Sequence, residues 1–188
     1  MVRWEPDSRS RLEQAALALY GERGFDDTTV AEIAARAGLT ERTFFRHFAD
    51  KREVLFGGAG ALQAHLVDAV VSAPDTAGPI DAIARALDAA GDLFEERRDF
   101  ARRRQAILAA SEELQERELK KLASLSAALA AALRQRGVDE PAASLTGELA
   151  IAVFRIGFEQ WVTEGNQRTL LELMHEGLDE VKAVTAGR

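Results

Sequence analysis

Thr29 and Glu32 stand three apart at the head of an apolar stripe, Val30, Ile33, Ala34 and Ala37, that repeats at helical spacing. This is the pattern of a capping box. The threonine hydroxyl accepts from the backbone N–H three residues on, and the glutamate reaches back to the threonine's own N–H. Gly38 then stops the stripe, as a residue that tolerates the left-handed conformation of a helix C-terminus. Thr40 follows at once as the cap of a short third helix through about His47. Two helices joined by a tight glycine turn make a helix-turn-helix.

Helical periodicity runs through the rest of the chain, and no segment alternates as a strand does. Leu12, Ala15, Ala16 and Leu19 line a first helix opened by Asp7 or Ser8 and closed near Gly24. Asp50 caps a fourth, predicted from Lys51 to about Ala73, with Val54, Leu55, Leu62, Leu66 and Val70 inward. Pro74 to Pro79 breaks it, and Pro79 suits the first turn of a fifth. A sixth carries Phe100, Ile107 and Leu108, and Ser111 caps a seventh that ends at Gly137. Asp139 and Pro141 start the eighth, which ends at Gly165, and the ninth is capped by Asn166. The expectation is an all-α chain of nine helices. Residues 1–50 form the helix-turn-helix domain, residues 51–188 form a second helical domain, and the helix over 51–73 connects them.

Composition removes several classes. With no cysteine there is neither a disulfide nor a thiolate metal site. His47, His65 and His175 share no metal-ligand spacing, no nucleophile–base arrangement stands out, and "GGAG" at 57–60 lacks the lysine of a phosphate loop. No enzyme activity, metal or cofactor is expected. The N-terminus MVRWEPDSRS has no apolar core of a signal peptide, and the longest apolar run, Ala127 to Leu133, is too short to span a bilayer. A cytoplasmic protein without a membrane partner is expected.

Net charge is −7, yet between Arg36 and Arg52 five basic residues (36, 42, 46, 51, 52) face two acidic ones (41, 50). Local sign matters more than net charge for a groove-sized polyanion. Phe44 and Phe48, four apart, are predicted to face a small core with Leu19, Phe25, Val30 and Ile33. Thr40, Glu41, Arg42, Thr43, Phe45, Arg46 and His47 are left outward. Arg42 suits guanine O6 and N7 bidentately, and Glu41 suits the cytosine amino group.

At this point "TTVAEIAARAGLTERTFFRHFADKREVL", with "YGERGFDDTTV" ahead of it, resembles the DNA-binding segment of the TetR (tetracycline repressor) family of bacterial transcriptional regulators. The resemblance covers residues 8 to 56. It implies a homodimer on a palindromic double-stranded DNA operator, with the last two helices as the seam. It also implies a cavity for a small-molecule effector whose binding releases the repressor. By position, Glu41 and Arg42 would read bases, while Thr29, Thr40, Thr43, Arg46, His47 and Lys51 would hold phosphates. Phe45 departs from the family, standing where a tyrosine hydroxyl commonly reaches a phosphate, so it is left to pack on sugar or a thymine methyl.

Beyond residue 56 the resemblance rests on helix count and length. Candidate cavity residues are His65, Phe94, Arg104, Leu108, Phe154, Arg155 and Phe158. Arg155 also has Glu159 four residues on as an ion-pair partner, and Arg102 to Arg104 has Glu95, Glu96 and Asp99 nearby. Leu149, Ile156, Leu170, Met174 and Leu178 give helices eight and nine apolar faces broad enough for a dimer seam, and Trp161 suits either core or seam. Gly57, Gly58 and Gly60 crowd one helix, as a hinge or as a close-packing site. The other class of function left open is a helical small-molecule carrier or interaction protein that has lost DNA binding.

Overall fold

The computed structural model describes residues 7–187, so most of the stretch read for a signal peptide lies outside the described residues. Among these there are ten α-helices and one 3-10 turn, so the fold is all-α. The chain divides into two compact units, residues 1–58 with 103–117, and residues 59–102 with 118–188.

In the first unit, α1 (Ser8–Arg23) opens at Asp7, whose carboxylate accepts from the Ser10 amide at 2.8 Å. The capping box then forms at α2 (Val30–Arg36): the Glu32 amide donates to Thr29 Oγ1, and Glu32 Oε2 accepts the Thr29 amide at 2.9 Å. Gly38 takes φ +66 and lets the Leu39 amide reach Ala34 O at 2.8 Å, which turns the chain into α3 (Glu41–His47). Leu12, Ile33 and Phe44 are wholly enclosed, and Phe25 and Phe48 nearly so. Each large side chain buried this way contributes about 1.5–3 kcal/mol of transfer free energy.

The helix expected over 51–73 is two helices, α4 (Glu53–Phe56) and α5 (Ala59–Val71), which raises the count from nine to ten. Arg52, rather than Asp50, is the N-cap of α4, and Asp50 braces the approach to it, its Oδ1 accepting the amides of Arg52 and Glu53 at 2.8 and 3.1 Å. The interruption falls at Gly57–Gly58. A Cβ on Gly57 would lie 2.7 Å from the Arg9 guanidinium and 2.9 Å from Glu53 O, whereas Gly58 and Gly60 face open space. By length and composition alone, the 19 residues Glu53–Val71 are apolar enough to cross a membrane, with mean hydropathy 1.5 over an 18-residue window. The break at Gly57–Gly58 divides it.

The second unit contains α5 and α6 (Pro79–Phe94), the start of α7 (Arg98–Ala109), most of α8 (Glu112–Gln135), α9 (Ala142–Val162) and α10 (Leu170–Thr185). Val70, Ile83, Leu129, Leu133, Trp161, Leu170 and Met174 are at its core. The crossing of α9 and α10 is tight because it is built on glycine. A Cβ on Gly157 would meet Met174 at 3.2 Å, and one on Gly177 would meet Val153 at 3.1 Å. Thr169, rather than Asn166, caps α10, through a second capping box with Glu172. Asn166 instead braces the preceding loop, accepting the Arg168 amide at 3.1 Å.

Candidate nucleic-acid interface

α3 has two unlike faces. Phe44 is wholly buried, with the rings of Phe45 and Phe48 at 5.5 and 5.4 Å between centroids. Glu41, Arg42, Phe45 and Arg46 are exposed on the other face, Phe45 by 55%. Thr40 caps the helix, its hydroxyl accepting the Thr43 amide at 3.2 Å and lying 3.1 Å from the Thr43 hydroxyl. His47 Nε2 lies 2.8 Å from Ser8 Oγ, which ties the end of α3 to the start of α1. The anchored side is aromatic, and the presented side carries Glu41, Arg42 and Arg46 with the Phe45 ring among them.

Partners sort the local positive charge. Arg36 is held bidentately by Glu22 at 2.8 and 2.6 Å. Arg52 is shared by Asp50 and Glu113, each at 2.7 Å. Lys51 directs its ammonium at three backbone carbonyls, not outward. Arg42 makes no ion pair among the described residues, and Arg46 touches only the neighbouring His47, at 3.4 Å. Of the five basic residues, Arg42 and Arg46 are thus the ones presented.

Thr29 is engaged as well. Its hydroxyl donates to Glu32 Oε2 at 2.9 Å, and that carboxylate also holds Arg23 through its other oxygen at 2.7 Å. Donation by the Thr29 amide, then by its hydroxyl, with Arg23 contributing charge, holds the Glu32 carboxyl below the usual range. Asp7 is lowered too, first by the Ser10 amide and in smaller part by His47. At Asp50 burial pulls upward, and hydrogen bonds from Arg52 more than offset it.

The candidate cavity residues are only partly brought together. Phe94, Phe154 and Phe158 meet one another, and Phe94 and Phe158 meet Trp161, with centroids 5.5 to 6.3 Å apart, so rings pack against the core of the second unit. His65 is exposed on α5, and Arg155 is exposed and paired with Glu159 at 3.1 Å. Arg104 and Leu108 belong to the first unit, where Arg104 donates to Leu55 O at 2.6 Å and lies over the Phe56 ring. Arg102 instead donates to Val162 O at 3.0 Å, and with Arg98 it satisfies the last carbonyls of α9. Of the expected seam, Trp161, Leu170, Met174 and Leu178 are enclosed by their own protomer and have no surface to offer a partner. Ile156 is 48% exposed and Leu149 half-buried, and Leu145, which the sequence reading missed, is 66% exposed. Leu145, Leu149 and Ile156 recur at helical spacing on one side of α9, a pattern the sequence already contained.

A capped two-helix unit presenting unpaired arginines on the outer face of its second helix defines the helix-turn-helix DNA-binding class. Residues 13–56 match the family of bacterial regulatory proteins of the tetR type, and residues 77–186 match the MftR C-terminal domain. The chain belongs to the TetR family of transcriptional regulators, a non-enzymatic family, with a C-terminal domain of the MftR type. It is 35% identical over 82 residues to the regulator TcmR of Streptomyces glaucescens, covering 44% of this chain and 36% of that protein. The chain thus spans well under two thirds of that curated relative. A TetR-family regulator from Syntrophomonas wolfei superposes with TM-score 0.69 at 14% identity, over 96% of this chain and 95% of that one. Thermus thermophilus FadR, a TetR-family repressor solved with lauroyl-CoA, gives TM-score 0.57 at 21% identity over 93% of each chain. At these identities the two structures establish a common fold.

Proposed function

We propose that this protein is a cytoplasmic, homodimeric repressor that binds a palindromic operator through α3 and is released by a small-molecule effector. The observation that carries the proposal is the face of α3 on which Arg42 and Arg46 stand exposed while Phe44, behind them, is wholly enclosed. A helix anchored in this way holds its long side chains at a fixed angle to a major groove, where side chains read bases and flanking groups position the backbone. Arg42 and Glu41 take the base edges. Thr40, Thr43, Arg46 and His47 flank them toward phosphate. Thr29 joins them when its hydroxyl turns from Glu32, and Phe45 packs on sugar or a thymine methyl.

Dimerisation proceeds through the outward faces of α9 and α10, where Leu145, Ile156 and Val184 are exposed. The effector enters the second unit by parting the Phe94, Phe154, Phe158 and Trp161 rings, which favours an apolar molecule. FadR, which was solved with lauroyl-CoA, makes that thioester the first probe to use.

A gel shift on the gene's own upstream region tests the proposal, repeated with lauroyl-CoA added. A discrete complex of two chains per duplex, footprinting a two-fold site, supports it. Binding no tighter than to random DNA would favour the carrier reading instead.

A further inference from the structure

We infer that Lys51 is a positioning residue that fixes the angle of the recognition helix, and that it does not contact DNA phosphate. The inference rests on α3 being the DNA-reading element. Lys51 follows α3 and Asp50 in the chain, and its Nζ donates to Phe25 O at 2.8 Å, Asp26 O at 3.1 Å and Thr28 O at 3.0 Å. An ammonium group has three N–H donors and no more. All three are taken by carbonyls of the one turn that joins α1 to α2. The same nitrogen lies 4.4 Å from the centre of the Phe25 ring, and that ring is 6% exposed and packed edge-on against Tyr20. A phosphate would have to displace one of these carbonyls and draw the cation off the ring.

The residue is held at its other end too. The Tyr20 hydroxyl donates to Lys51 O at 2.6 Å from a side chain that is 3% exposed. Burial, with the nearby Asp50 charge second, pushes the Tyr20 phenol well above its ordinary value, so it remains a donor at any physiological pH. Side chain and backbone of one residue therefore tie the start of α4 to the end of α1 and to the α1–α2 turn. α3 hangs between Gly38 and this tie. Its tilt is set where the chain leaves it.

The two roles differ in how they respond to salt. A phosphate contact releases a counterion, so its loss lowers the salt slope of binding by about one per subunit. A positioning residue alters affinity and leaves the slope unchanged. Lys51→Met keeps the length and apolar stem while removing the donors. We expect it to weaken binding to the upstream duplex by about tenfold, the scale of one lost charge-assisted hydrogen bond. The salt slope should not change, and amide exchange across residues 26–29 should quicken. Lys51→Arg, which can still donate to the carbonyls, should recover most of the affinity. A slope lowered by about one per subunit, with exchange at 26–29 unchanged, overturns the inference. Should Lys51→Met not fold, the wild-type Lys51 ammonium resonance decides. It should be protected from solvent in the free protein and unmoved by DNA, and a large shift on adding the duplex overturns the inference. If the wild type binds no duplex, the proposed function fails, while protection and exchange in the free protein still test the tie.

Discussion

Arg52 reaches Glu113, 61 residues further along the chain, at 2.7 Å, and so ties the first turn of α4 to the first turn of α8. Beside it Arg117 pairs with Glu53, and the Arg104 and Arg117 guanidiniums lie 5.1 and 5.3 Å from the centre of the Phe56 ring. The Arg52–Glu113 pair has both side chains substantially exposed, 39% and 54%, so water screens it. Glu113→Gln should cost less than about 1 kcal/mol. Phe56→Ala, at a site 3% exposed, should cost about 3–5 kcal/mol by loss of packing. Urea unfolding of the two variants measures the contrast, and similar losses would make the ion pair as strong a tie as the packing of Phe56.

Arg42→Ala should relax base preference at one operator position and cost about 1–3 kcal/mol. Binding to every single-base operator variant, measured by fluorescence anisotropy, reads this directly. Equal loss on operator and random duplex would move Arg42 to the phosphates.

Phe45→Tyr places a hydroxyl on a ring already 55% exposed, so no buried polar group is created. If the ring lies beside phosphate, operator affinity rises by about 1 kcal/mol, the value of one new hydrogen bond. Unchanged or weaker binding would put the ring against a methyl group or sugar instead.

Gly58 is not among the glycines at positive φ, and a Cβ there meets nothing within 4 Å. Gly58→Ala should therefore fold, with a gain of about 0.4–1 kcal/mol from the stiffer unfolded chain. If the break between α4 and α5 is a hinge, effector-induced release should weaken while DNA affinity without effector survives, a lowered coupling free energy. A full effector response in this variant and in Gly60→Ala would leave close packing of Gly57 as the reason for the glycines.

Glu32 has a folded-state pKa below its ordinary 4.5, so the stability it contributes is present above that pH and disappears as pH falls through the lowered value. Glu32→Gln should lower Tm at neutral pH and converge with the wild type in acid, which flattens the acid limb of a Tm–pH curve. An acid limb unchanged in slope would assign the loss to other carboxylates, Glu172 and Asp50 among them.

What could be read in the sequence followed local rules. Caps bond within four residues, so Thr29, Gly38 and Thr40 announce their roles. Thr169 and Glu172 carry the same signature and were legible too, although Asn166 drew the prediction away. The interruption at Gly57–Gly58 was legible as an anomaly, with three glycines in four positions, but not as a break. The tie at Lys51 was not legible. Its acceptors are backbone carbonyls, which every residue has, at a sequence separation of 23 to 26. The arginine run at 102–104 hid its division for the same reason, since Arg102 and Arg104 each serve a carbonyl on a distant helix.

The bidentate clasp of Glu22 on Arg36 also bears on how the protein would search a genome. With Arg36 and Arg52 paired to carboxylates and Lys51 turned to backbone carbonyls, the proposed recognition helix would offer a duplex two unpaired arginines and displace few condensed ions. Non-specific affinity, which is almost wholly ion release, would then be small. Few copies would be sequestered on the bulk of the chromosome, so a modest number of molecules would keep the proposed operator occupied. On the proposed function, occupancy would then depend more on base reading and effector level than on the ionic state of the cell.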